Sequence, residues 1–313
     1  MTTDPDALNP VHRNPAPTST AEQADELVRM LTLHQTEDYI FADPSVHAGT
    51  ERENQRTFGG QVLAQALMAA SRTVGEDRSC HSFHCYFLRP GSNAKPITYK
   101  VEGTRDARSF SQRRVNAYQD EKLMFTLTSS HHITESGFEH SDKVPGGTPG
   151  PEDCPTMAEV LRDRFGGGAE QWIAWRGLDV RYAGDSGSVG SDSHSSHMRV
   201  WVRVAAELPD DVRLHQSLAA YISDLTILSV ATIPHQVPIL APNLQAASVD
   251  HAMWFHRPIK ADQWLLHDQI SPSASAARGF SSGRIFQHGA MASSVCQEGL
   301  LRLVDEPVAN RAL

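Results

Sequence analysis

The strongest constraint on this chain is that it repeats itself. Phe87-Leu88-Arg89-Pro90 returns as Phe255-His256-Arg257-Pro258, 168 residues later. Arg108-Ser109-Phe110 returns as Arg278-Gly279-Phe280, at an offset of 170, and Gln119 to Met124 returns as Gln287 to Ala292, again at 168. Matches kept in one order and nearly one register imply duplicated structure. The period is too long for a solenoid and suits a small domain, so the chain reads as two copies of one fold. Duplication also allows one half to keep a site that the other has lost.

Composition narrows the function. With 313 residues, 40% of them hydrophobic, the chain can bury one large core or two smaller ones. A net charge of −9 argues against nucleic acid as a partner, because phosphate binding wants clustered Lys and Arg. Cys80, Cys85, Cys154 and Cys296 form neither a CxxC pair nor a dense framework, which suggests reduced thiols in a cytoplasmic protein. No apolar run approaches the roughly 18 residues that span a bilayer, so no membrane span is expected. The final residues, Asn310 to Leu313, are not a Ser-Lys-Leu peroxisomal address.

Along the chain, residues 1–20 read as a disordered leader, rich in Asp, Pro, Asn and Thr. Residues 21–144 read as the N-terminal unit. A helix is expected over Ala21 to Gln35, with Thr20 as its cap, and a second, mostly buried one over Val62 to Val74. Strands are expected over His81 to Leu88, Pro96 to Glu102, Phe110 to Tyr118 and Leu123 to His131. Residues 145–197 read as a linker and a flexible Gly/Ser-rich loop over Gly184 to Ser196; Trp172, Ile173 and Trp175, which lie between the two, are expected to pack on one domain or the other. Residues 198–313 repeat the plan: a strand over Met198 to Ala205, a helix over Leu214 to Leu228, then four strands ending at Leu303. Strands clustered after a helix indicate α+β rather than a parallel α/β sheet. A very apolar helix beside one antiparallel sheet is best buried by wrapping the sheet around it, a hotdog-like arrangement in each half.

The second helix carries an unusual residue. At 100° per residue, Leu214, Tyr221, Ile222, Leu225 and Leu228 form a stripe, and Asp224 lies about 100° from its centre. From spacing alone Asp224 is either a solvated surface aspartate or a partly desolvated carboxylate suited to general-base work.

Phe58-Gly59-Gly60-Gln61, His81 to His84 running into Phe87 to Gly91, Ser223-Asp224-Leu225, Asp250 to Pro258 and Gln297-Glu298-Gly299 together resemble the acyl-CoA thioesterase II family. The resemblance covers Leu27 to Leu303. It implies a double hotdog that hydrolyses fatty acyl-CoA, with an Asp, a Ser or Thr, and a Gln around one water. Those roles match Asp224, Ser248 and Gln297. Some members have threonine where Ser248 stands; the chemistry needs only a hydroxyl. The resemblance implies no cofactor and no metal, with acyl-CoA as the partner. Two other functions stay open: a non-catalytic acyl-CoA-binding module, and a hotdog dehydratase using a His and an acid.

Two features point elsewhere. Gly279-Phe280-Ser281-Ser282-Gly283 fits the Gly-x-Ser-x-Gly nucleophile elbow, yet strands are expected on both sides of Ser281, where an elbow needs a following helix. His81 and His84, on a regular strand, would face opposite sides and not chelate together, and His194 and His197 fall in the expected loop. Gln297 corresponds to Ser129 at the 168 offset, and Val62 to Val74 holds no carboxylate. One catalytic centre per chain is therefore expected. Exposed sheet edges or faces favour a homodimer or larger even assembly.

Overall fold

The computed structural model describes residues 20–43, 56–165, 177–186 and 196–305. Of the expected leader at 1–20, residues 1–19 lie outside them, as do residues 172, 173 and 175; Thr20 is the first residue of a helix. The first half runs α1 (Thr20–Leu31), β1 (His34–Glu37), β2 (Ile40–Ala42), α2 (Gly59–Ser71), β3 (Arg78–Phe87), β4 (Thr98–Asp106), β5 (Phe110–Gln119) and β6 (Lys122–Ile133). A short 3₁₀ helix, Pro151–Asp153, and α3 (Met157–Phe165) follow. The second half runs β7 (Leu178–Asp185), β8 (Ser196–Val204), α4 (Val212–Ser223), a 3₁₀ helix (Ile227–His235), β9 (Leu244–Ser248), β10 (Asp250–Phe255), β11 (Leu265–Ser275), β12 (Arg278–Gln287) and β13 (Ala290–Leu303).

All thirteen strands join one antiparallel sheet, in the order β1-β2-β4-β5-β6-β3-β10-β13-β12-β11-β8-β7, with β9 also on β13. The central run β4-β5-β6-β3 is mirrored by β10-β13-β12-β11, and the halves meet where β3 pairs with β10. This is the duplication made physical, a double hotdog with a pseudo-twofold axis between β3 and β10.

The repeated residues do repeated work. Gln119 and Gln287 each end a strand before a two-residue turn with both residues at positive φ: Asp120 and Glu121, then His288 and Gly289. Each glutamine braces a neighbouring backbone with its amide, Gln119 on Ser92 and Gln287 on Lys260. Arg89 donates to the carbonyl of Leu123 and Arg257 to that of Met291, both 34 residues ahead. The repeated residues thus fasten the same turn in each half.

Helix α2 sits within the first half's sheet, its alanines letting backbone and strands approach; every residue from Val62 to Ser71 is buried. Val115, Ala117, Phe125 and Leu127 of the facing strands are buried too. In the second half the 3₁₀ stretch Ile227–His235 takes that place against β8, β11, β12 and β13, while α4 packs on α2. Together with the 3₁₀ turns, α4 makes an apolar stretch, Val212–His235, long enough by composition to cross a bilayer, but 78% of its most apolar window is buried inside the protein. The expectation that no apolar run approaches that length does not hold for this stretch. Phe58 at the amino end of α2 packs edge-on against Tyr221 of α4, ring centroids 5.1 Å apart, which ties the two helices together.

Several boundaries differ from the sequence reading. Gln35 belongs to β1 rather than to α1. Helix α2 starts three residues early, at Gly59, because the two glycines form its first turn. The span 145–197 holds α3, β7 and the start of β8, and His197 is a strand residue in register with Ile270. A bulge between Cys80 and Ser82 resets the alternation of β3. His81 and His84 consequently share the exposed face: His81 bonds Ser130, and His84 packs edge-on against Trp254.

Candidate active site

Helix α4 does not run on to Leu228. It ends at Ser223, and Asp224 is its C-cap, with φ −88° and ψ −9°. The helical-wheel angle that placed Asp224 at the margin of the buried face therefore fails. Its side chain is only 3% exposed. A carboxylate at the carboxyl end of its own helix opposes that helix dipole, which costs about 0.3–1 kcal/mol. The compensation comes from across the axis, where Asp224 faces the amino end of α2. A Cβ on Gly59 would lie 2.8 Å from Oδ2 of Asp224 and 3.1 Å from the Phe87 ring. Only glycine permits this approach.

Oδ1 of Asp224 collects the other partners. Gln297, on β13 and buried, donates to it through Nε2 at 2.5 Å. Ser248, at the end of β9, donates through Oγ at 3.4 Å. The three residues singled out from the sequence, drawn from a helix end and two strands, thus converge on one carboxylate oxygen. Ser281 sits mid-strand in β12, opposite Gln297 in register, with β12 continuing beyond it; the strand–turn–helix geometry of a nucleophile elbow is not there.

His251 belongs to the site and escaped the sequence reading. Its Nδ1 lies 3.0 Å from Gln297 Nε2 and 3.7 Å from Asp224 Oδ1. Gln297 Nε2 has two protons, one for Asp224 and one for His251, so Nδ1 must accept. Nε2 then carries the proton and donates to Ser223 Oγ at 2.9 Å, and Ser223 donates onward to the Ala220 carbonyl at 2.8 Å. The chain of donors fixes the orientation of the imidazole, which props the Gln297 amide. Its Oε1 makes no hydrogen bond to the described residues. Ser248 and His251 are three apart, which on a regular strand means opposite faces. The break between β9 and β10 at Val249, whose carbonyl accepts from Phe87 instead, turns both toward Asp224.

Among the described residues no such carboxylate takes the matching place in the first half. Ser129, the counterpart of Gln297, is buried beside Arg113, the counterpart of Ser281. The Arg113 guanidinium donates to Thr73 Oγ1 at 2.9 Å, to the Thr73 carbonyl at 3.0 Å and to Asp106 at 2.9 Å. A paired cation thus fills the space.

The chain matches the family model for acyl-CoA thioesterase over residues 181–300, and that for the acyl-CoA thioesterase N-terminal domain over residues 48–132. It is 34% identical to acyl-CoA thioesterase 2 of Haemophilus influenzae, over 89% of this chain and 97% of that one. It is 36% identical to human acyl-coenzyme A thioesterase 8, over 80% and 81%. Among solved structures it resembles an acyl-CoA thioesterase II from Mycobacterium marinum, with a TM-score of 0.73, 37% identity, and coverage of 89% and 99%. The chain belongs to the acyl-CoA thioesterase family.

Proposed function

We propose that this protein hydrolyses fatty acyl-CoA to a free fatty acid and CoA at a water held by Asp224, Ser248 and Gln297. The observation that carries the proposal is the convergence of Gln297 and Ser248 on Oδ1 of a buried Asp224 that faces the amino end of α2. A thioester carbonyl is electrophilic and thiolate leaves readily, so an oriented water need only surrender a proton as it attacks. Asp224 takes that proton as the water oxygen bonds to the carbonyl carbon. Ser248 and the free Oε1 of Gln297 orient the water. Phe58 supplies no side-chain cap, so N–H groups of the first α2 turn can meet the oxyanion. Collapse breaks the C–S bond, and the departing thiolate takes up the proton. The reaction needs no cofactor.

A dehydratase would need a histidine that reaches its substrate. His251 has both ring nitrogens engaged within the network, which favours hydrolysis. The test is Asp224→Asn, read by free thiol release from an acyl-CoA. It keeps the hydrogen-bonding shape and removes the base, so kcat should fall roughly 10²–10⁴-fold. Hydrolysis near the wild-type rate would rule out Asp224 as the base.

We also read the chain as one catalytic centre built on two units, 21–144 and 198–313, and as a cytoplasmic homodimer or larger even assembly. Free cysteines suit a reducing compartment. The exposed sheet face carries Tyr86, Phe110, Ile270 and Phe280, each at least 37% exposed, which suits association. Light scattering of the purified chain tests the assembly.

A further inference from the structure

The pseudo-twofold axis relates two places that are built alike and finished differently. In the second half, Arg257 donates one guanidinium nitrogen to Met291 and the other to the carbonyl of His140, at 3.0 Å. The segment carrying His140 then lies over the β12–β13 turn: Ser141 accepts from the Met291 N–H, Asp142 pairs with Arg284, and Lys143 bridges to Ala290. In the first half Arg89 makes the Leu123 bond that mirrors Arg257 to Met291, but its side chain has no bond mirroring the one to His140 among the described residues. In place of a covering segment there is a cavity of about 220 Å³, lined by Arg89, Ser92, Lys95, Asp120, Lys122 and Met124 among others.

The chemistry of that cavity is cationic on a chain of net charge −9. Asp120 pairs with Lys95. Arg89 and Lys122 have no carboxylate partner among the described residues, so the cavity keeps an excess of two positive charges. A short series of contacts links it to the reacting centre. Ser92 bridges to Arg56, and the Thr57 N–H bonds the Gly91 carbonyl at 3.1 Å. Three residues on, Gly59 touches Asp224, at most about 11 Å of chain from Arg56. The cavity therefore lies at the same end of the first half as the amino end of α2, within reach of an extended pantetheine arm.

We propose that this cavity binds the phosphate groups of the CoA moiety, with Lys122 and the free face of Arg89 as the charged donors. The proposal rests on acyl-CoA being the substrate. Guanidinium and ammonium groups bind phosphate oxygens through charge-assisted hydrogen bonds, and Lys122 can turn toward them because it is exposed at the start of β6. The thioester is then anchored at one end by charge and presented to Asp224 at the other.

The test uses Lys122→Glu, with Lys100→Glu, an exposed lysine on β4, as a control for net charge. Both are assayed on an acyl-CoA, its 3′-dephospho analogue and the same acyl group on N-acetylcysteamine, which has no phosphate. The expected result is a KM for acyl-CoA raised on the order of tenfold by Lys122→Glu, with kcat within about twofold. Hydrolysis of the N-acetylcysteamine ester should stay at the wild-type level, and Lys100→Glu should match wild type. A smaller KM effect on the dephospho substrate assigns the site to the 3′-phosphate; an undiminished one assigns it to the pyrophosphate. An unchanged KM for acyl-CoA overturns the proposal, as does an equal loss on the phosphate-free ester. Failure of the thioesterase reading would look different: wild-type protein releasing no thiol from either ester.

Discussion

At the scale of single residues, the site is a contest over one carboxylate oxygen. Asp224 is buried, faces the wrong end of its own helix and the right end of another, and takes two side-chain donors on Oδ1. The opposing dipole contributions are each about 0.3–1 kcal/mol, so removing the charge should alter stability little while abolishing the base. Ser248→Ala and Gln297→Ala each delete a hydrogen bond of roughly 1–3 kcal/mol and should lower kcat about tenfold to a hundredfold. Combined with Asp224→Asn, either should add little if, as proposed, all three act on one water; full multiplicativity in thiol-release kinetics would contradict that. Ser281→Ala should leave activity close to wild type, and a trapped acyl-serine there would revive the serine-hydrolase reading. Asp224, Ser248 and Gln297 were legible because long, separate motifs carried them. His251 stood inside one of those motifs and was passed over. Its role depends on Gln297 having two protons to donate and on an interruption at Val249, and neither can be seen in strand alternation.

At the scale of elements, the amino end of α2 decides the geometry of the site. Gly59→Ala would gain about 0.5–1 kcal/mol of helix propensity. The added methyl would meet Asp224 Oδ2 at 2.8 Å and Phe87 at 3.1 Å, so the carboxylate must move. The expected outcome is near-wild-type thermal stability with kcat lowered about a hundredfold, since a shift approaching 1 Å in a reacting group can cost that much. An alanine variant with unaltered kcat would show that this contact does not set the site. Helices and strands were legible in type because apolar spacing and alternation were strong. Their ends were not: α2 begins on glycines that propensity disfavours, and α4 stops at a buried aspartate. Bulges defeated the facing of side chains. One extra residue near Cys80 put His81 on the same side as His84, which period-two counting had excluded.

At the scale of the whole molecule, duplication was legible and explains the sheet, whose strand order reads the same outward in both directions from β3 and β10. The asymmetry was legible only in outline; that Arg113 replaces the carboxylate chemistry with a paired guanidinium needed the register of β5 against β6. The fused core also buries histidines that cannot easily charge. Burial pushes His131 down to about 4 and His267 down to about 3, from an ordinary 6.5. Between those values and 6.5 the unfolded chain binds protons that the folded chain refuses, so stability is complete above about pH 6.5 and falls as pH drops. Urea unfolding followed from pH 7 to 5 should show this loss, flattened in a His131→Asn, His267→Asn variant by up to two protons. An unchanged slope in that variant would place the acid sensitivity elsewhere.

The central claim is that Asp224 activates water rather than attacking the thioester itself. A single turnover with enzyme in excess over acyl-CoA, run in ¹⁸O-labelled water and acid-quenched for acylated Asp224, separates the two: an anhydride opened at the aspartyl carbonyl labels Asp224, and one opened at the acyl carbonyl is caught as acylated Asp224. Water attack predicts one ¹⁸O in the released fatty acid and none in Asp224. Unlabelled fatty acid from that first turnover with ¹⁸O appearing in the Asp224 carboxylate, or acylated Asp224 in the quench, would mean an acyl-aspartyl anhydride and would contradict the mechanism.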